Sequence, residues 1–126
     1  MVAIAPALYG QSGVDDVAGL LTRYFGAINN QYYQGWIDAL VPGPGRDPQR
    51  WRELRSTHDD GITLFAVNPR PGGMAAAVAF TSHQDASLGP NRESCTRWSI
   101  AYDIVPYQGS LRIDIVNNLS VTSRTC

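Results

Sequence analysis

The chain predicts one α+β domain, with its helices segregated to one face of an antiparallel sheet. Three observations carry that reading. Between residues 12 and 57 the apolar side chains recur every three or four positions, and from Ile62 onward they recur every two. Runs rich in proline and glycine, Pro42-Gly43-Pro44-Gly45 and Asn68-Pro69-Arg70-Pro71-Gly72-Gly73, punctuate the two regions. A chain of 126 residues, 44% apolar and 17% charged, has the size and balance of a single packed domain. The expected division is an N-terminal extension or linker over 1–13 and one domain over 14–126.

The first helix is predicted from Val14, Val17, Leu21, Tyr24 and Ile28, which fall on one stripe. Ser12 is placed to cap it, Asp15 and Asp16 lie in the first turn where the dipole favours negative charge, and Asn29-Asn30 ends the pattern. A shorter helix follows, with Tyr33, Trp36, Ile37 and Leu40 at the same spacing. Asp47-Pro48 has the form of an N-cap with proline in the first turn, so a third helix is expected from Pro48 to about Thr57, with Trp51 and Leu54 inward. His58-Asp59-Asp60-Gly61 is expected to turn the chain.

Four strands are then predicted. Ile62 to Val67 alternates; Met74 to His83 sets Met74, Ala76, Val78 and Phe80 on one face. Cys95 to Val105 sets Trp98, Ile100, Tyr102 and Ile104 against Arg97, Ser99, Ala101 and Asp103. After a hairpin turn at Pro106 to Ser110, a single strand from Leu111 to Val121 is expected to set Leu111, Ile113, Ile115 and Leu119 inward.

Charge and composition narrow the partners. The formal net charge is −1, so no overall field draws the chain to nucleic acid or an acidic membrane. Arg46, Arg50, Arg52 and Arg55 alternate with Asp47 and Glu53, the pattern of a solvated helix face. The apolar N-terminus M-V-A-I-A-P-A-L-Y-G is shorter than the ~20 residues of a membrane helix and lacks a positive leader region. A native start and a linker downstream of a removed membrane anchor have the same appearance here.

The two cysteines, Cys95 and Cys126, lie in the C-terminal third. An even count suits a disulfide and an oxidising compartment; the alternative is two unrelated thiols in a cytosolic protein. The bridge is favoured because a cysteine as last residue has no core to fill. No metal site is expected, since His58, His83 and the cysteines show no short ligand spacing. No cofactor motif, glycine-rich phosphate loop or G-x-S-x-G elbow is present.

The run V-A-G-L-L-T-R-Y-F-G-A-I-N-N-Q-Y-Y-Q-G-W-I-D-A-L resembles the opening of the nuclear transport factor 2-like superfamily, with its R-Y-x-x-A-[IL]-N helix and short second helix. The run C-T-R-W-S-I-A-Y-D-I-V-P-Y-Q-G-S-L-R-I-D-I-V resembles that superfamily's paired long strands. The resemblance spans about Val14 to Val121 and is nearest to the bacterial extracytoplasmic branch without assigned catalysis. It implies helices wrapped against a strongly curved sheet, a cone with a cavity at its wide end. By the same resemblance Tyr24, Trp36, Trp51, Phe65, Phe80, Trp98 and Tyr102 fill or line that cavity.

Ketosteroid isomerases of the same superfamily use a carboxylate base and an oxyanion hole of a tyrosine and a protonated aspartic acid. Tyr24 falls where their tyrosine stands and Asp103 near their acid, but the base has no counterpart, because Asp47 in V-P-G-P-G-R-D-P serves as a cap. Alternation also sets Asp103 opposite Trp98, Ile100 and Tyr102. The expectation is therefore a non-catalytic extracytoplasmic domain, secreted or membrane-anchored, that binds a small apolar ligand or a protein partner. An isomerase or cyclase using Tyr24 and a homodimerisation module are the alternatives.

Overall fold

The computed structural model describes residues 2–126. Three α-helices come first: α1 (Val14–Asn29), α2 (Tyr33–Ala39) and α3 (Pro48–Glu53). A short strand, β1 (Ala3–Ile4), precedes them, and five follow: β2 (His58–Arg70), β3 (Gly73–His83), β4 (Cys95–Tyr107), β5 (Ser110–Asp114) and β6 (Ser120–Thr125). The six strands form one open sheet in the order β1-β2-β3-β4-β5, with β6 also on β4. Among the strands of the described residues only the β1–β2 pair is parallel, and one isolated parallel bridge joins Leu40 to Ile113. The predicted α+β class is what the chain adopts.

The helix α1 buries Val17, Leu20, Leu21, Tyr24, Phe25 and Ile28, a wider stripe than the five positions expected. Asp15 and Asp16 occupy its first turn as predicted, but Ser12 is not the cap. Gly13 is, in a left-handed conformation at φ 85°. At the other end Gln31, at φ 52°, is the left-handed residue that follows the helix. Helix α3 begins as predicted, the Asp47 carboxylate accepting from the Gln49 N–H at 2.9 Å, but it ends at Glu53 rather than near Thr57.

One face of the sheet meets the helices. Ala76, Val78 and Phe80 of β3 and Ile100, Tyr102 and Ile104 of β4 are buried there. Phe25 packs edge-on against Phe80 at 4.8 Å between ring centroids, and Tyr24 against Tyr102 at 6.1 Å. Burying one such ring stabilises the fold by about 1.5–3 kcal/mol, so this seam joins the helical and sheet halves. The other face carries Ala75, Ala77, Ala79 and Thr81 beside Arg97, Ser99 and Asp103, all half-buried or exposed.

Three departures from the expected strands matter. First, His58 to Gly61 does not turn the chain but opens β2, and the pairing with β3 slips between Asp60 and Thr63. Gly61, at φ 59°, supplies the left-handed residue that such a bulge takes. A second slip between Leu64 and Ala66 leaves Phe65 without a partner. Third, the single last strand is two: Asp114 pairs Asp103 and Ser120 pairs Ala101, so residues 115–119 loop out opposite Tyr102 alone. Leu119, expected inward, is exposed in consequence.

Residues 2–13, expected as an extension, join the fold. Ala3 and Ile4 pair with Thr63 and Leu64, Leu8 is buried, and Gln11 Nε2 donates to the Val67 carbonyl at 2.6 Å. Cys95 and Cys126 form a disulfide with Cα atoms 5.5 Å apart, tying the C-terminus to the start of β4. Among the described residues no helix is long and apolar enough to cross a membrane.

Candidate functional site

Between the helices and the inner face of the sheet lies a cavity of about 300 Å³. Helix α1 contributes Tyr24, Phe25 and Ile28; α3 and the residues after it contribute Glu53, Leu54 and Thr57. The sheet closes the far side with Phe80, Trp98, Ile100 and Tyr102, and the 84–94 loop adds Leu88 and Pro90. Ile115, the first residue of the looped-out segment, completes the wall against Gly45. A Cβ built on Gly45 would stand 2.6 Å from Ile115 Cγ2, so only glycine admits Ile115 there without displacement.

The seven aromatic residues expected around a cavity divide three ways. Tyr24, Phe80, Trp98 and Tyr102 line it. Trp36 and Trp51 do not; they pack with each other at 5.3 Å and with Tyr33 at 6.2 and 5.5 Å, in a cluster between α2 and α3. Phe65 is on the opposite face of the sheet and 53% exposed. The bulge that leaves it unpaired lets Val67, two positions on, return to the core.

Asp103 is likewise outside. It pairs with Ala75 and Asp114 across the sheet, and its carboxylate lies 3.7 Å from the Arg70 guanidinium. Its neighbour Tyr102 is the residue that faces Tyr24. Tyr24 and Asp103, the pair that an isomerase of the ketosteroid type would need, thus lie on opposite sides of the sheet.

The acid inside the cavity is Asp59, a residue expected only in a turn. Because the bulge at Gly61 shifts the strand's alternation, Asp59 and Ile62, three residues apart, both face inward. Asp59 is 4% exposed and its Oδ1 has no hydrogen-bond partner. Its backbone is held from α1: Asn29 Nδ2 donates to the Asp59 carbonyl at 2.8 Å, and Asn29 Oδ1 accepts from the Asp59 N–H at 2.7 Å. The last residue of the R-Y-x-x-A-I-N run therefore fixes where this acid stands.

The hydroxyl directly across from it is committed elsewhere. Ser82, paired with Asp59 on β3, donates its Oγ–H to Gln84 Oε1 at 2.8 Å and accepts from Trp98 Nε1 at 2.9 Å. Gln84 in turn donates to the Glu93 carbonyl and to Thr96 Oγ1, and Thr96 donates to Glu93 Oε1. That wall is satisfied internally. Asp59 is left without a donor.

Burial, reinforced by the adjacent Asp60, raises the Asp59 carboxyl from the ordinary carboxylate range to about 7. Burial and then the Asp59 charge push the Tyr24 hydroxyl well above the usual tyrosine range, with Arg50 and Trp36 acting weakly the other way. Burial, Tyr24 and Asp59 do the same to Tyr102. All three groups line the one pocket. No group of three or more histidine, cysteine, aspartate or glutamate side chains among the described residues could hold a metal ion.

Comparison of the chain with protein-family models, with curated proteins and with solved structures finds no match.

Proposed function

We propose that this chain is a non-catalytic binding domain, a cone of the nuclear transport factor 2-like type, which takes a small and largely apolar ligand into the cavity at its wide end. The observation that carries the proposal is the chamber itself: about 300 Å³, walled by Phe25, Ile28, Leu54, Phe80, Trp98 and Ile100, with one buried acid among them. That size and that mixture, apolar walls with few polar groups, are those of small-molecule sites. Work outside the cytoplasm is the setting proposed, and the Cys95–Cys126 disulfide supports it, because such bonds persist where the environment is oxidising.

The test uses Trp98, whose indole lines the chamber and stacks on Phe80 at 6.3 Å. Titration with 2-phenylethanol is expected to change tryptophan emission saturably, and Ile100→Phe, which narrows the chamber, to weaken binding at least several-fold. A linear, unsaturable response that Ile100→Phe leaves unchanged would contradict the proposal.

A second reading is favoured by the other face of the sheet. Phe65 is about half exposed and borders a groove of about 480 Å³ flanked by Arg97 and Arg124. Such a surface suits association of two copies. Light scattering that gives a dimer mass for the native chain and a monomer mass for Phe65→Asp would support it, and a monomer throughout would remove it.

A further inference from the structure

We infer that the ligand of the cavity carries a protonated amine, seated on the Asp59 carboxylate and among the surrounding aromatic rings. This rests on the cavity's being a small-molecule site and adds the class of molecule.

Four buried side-chain atoms among the described residues have no hydrogen-bond partner, Trp36 Nε1, Arg46 Nε, Asp59 Oδ1 and Asn118 Oδ1; of these only Asp59 Oδ1 belongs to an acid, and only Asp59 lines the cavity. Asp59 Oδ1 is buried and unpartnered; Asn29 engages only the Asp59 backbone; Ser82 gives its proton to Gln84. The adjacent charge on the same strand, Asp60, has the same sign and its carboxylate stands 3.3 Å from His83 Nε2. A carboxylate so placed is costly until a donor or a cation reaches it. The room to reach it is the cavity, which Asp59 lines.

The walls favour a cation over a neutral donor. Tyr24, Phe25, Phe80, Trp98 and Tyr102 all border the chamber, and rings attract an ammonium group through the negative potential of their faces. An ammonium group also forms a charge-assisted hydrogen bond with a carboxylate, roughly twice as strong as a neutral one. Besides Asp59 the lining carries Glu53, which is exposed, and Thr57, Ser82 and Gln84, while Ile28, Leu54, Leu88 and Ile115 are left for a hydrocarbon body.

The experiment compares two molecules of one shape, 2-phenylethylamine and 2-phenylethanol, on the native chain and on Asp59→Asn at pH 8, with circular dichroism confirming the variant's fold. The amine is expected to bind the native chain about tenfold or more tighter than the alcohol. Asp59→Asn is expected to abolish that preference, so that amine and alcohol bind the variant within about twofold of each other. Equal affinities on the native chain, which need no variant, overturn the inference, as does an amine preference that survives Asp59→Asn. If the alcohol binds and the amine does not, the amine assignment falls and the small-molecule site stands. If neither binds, both fall.

Discussion

Asn29, the last residue of α1, and Asp59, the second of β2, exchange two hydrogen bonds across thirty residues of sequence, at 2.8 and 2.7 Å. Strand β1 pairs β2 only at Thr63 and Leu64, so the Asp59 backbone would otherwise face an open strand edge. An asparagine side chain has one donor and one acceptor in the spacing of a peptide group, and so can stand in for a neighbouring strand. Asn29→Ala removes both bonds and orphans a buried N–H. The expected cost is about 2–4 kcal/mol in urea denaturation, and a loss within 0.5 kcal/mol would show that the clamp is ornamental.

The Asp59 carboxyl makes stability depend on pH with a definite sign. It binds its proton near pH 7 when folded and near the ordinary carboxylate value, about 4, when unfolded. Between those values the folded chain holds more protons, so stability is highest below about pH 4, falls as pH rises through the window, and levels off above 7. Asp60, Tyr24, Tyr102, Glu53 and Arg50 are the other charged or titratable groups around it, and all remain in Asp59→Asn. Chemical denaturation of both chains at pH 4 and pH 8 is expected to show Asp59→Asn gaining on the native chain by up to about 4 kcal/mol at the higher pH. An equal pH dependence in the two would remove Asp59 from the account.

Gly61 is the residue whose backbone turns Asp59 inward. At φ 59° a Cβ finds no atom within 4 Å, so the penalty of a side chain is conformational alone, about 1–2 kcal/mol for Gly61→Ala. Thermal unfolding checks the stability. The same variant is expected to flatten the pH dependence just described if the bulge is lost.

The Cys95–Cys126 bond closes a loop with a sequence separation of 31. In the chain-entropy model a loop of that length contributes about 3–4 kcal/mol. Reduction, or Cys126→Ser, is expected to lower the unfolding free energy measured in urea by that amount. The six exposed residues of β6 are expected to lose amide-exchange protection first, since each of them lacks a buried side chain to hold the strand.

Much of the frame was legible because its signals are local. The stripe Val17, Leu21, Tyr24, Ile28, the Asp47-Pro48 start and the alternation through β3 and β4 each state their own geometry, and the structure follows them. What the sequence concealed was set by pairing between distant strands. Ile62 and Leu64 alternate as expected, which by itself sets Phe65 on the other face, but a bulge before them and another after them reverse the alternation, turning Asp59 and Val67 in. Asp59-Asp60-Gly61 has the composition of a turn, and a glycine in a bulge has the same composition. Only the β3 partner decides between them. Likewise Ile115 to Leu119 continues the alternation of β5 on paper, while β4 has one residue to offer it. The acid of the site was therefore missed, and the signals that could have found it were the glycine two residues on and the asparagine that closes α1.

The central claim is that the interior chamber, rather than the outer face, receives a ligand. Amide and side-chain chemical shifts recorded during a titration with 2-phenylethylamine test it most directly. The predicted result is saturable shifts grouped at Tyr24, Ile28, Asp59, Phe80, Trp98 and Tyr102, with Phe65, Arg97 and Arg124 unmoved. Shifts centred on Phe65 and Arg97 with the chamber silent, or no saturable shift anywhere, would contradict it.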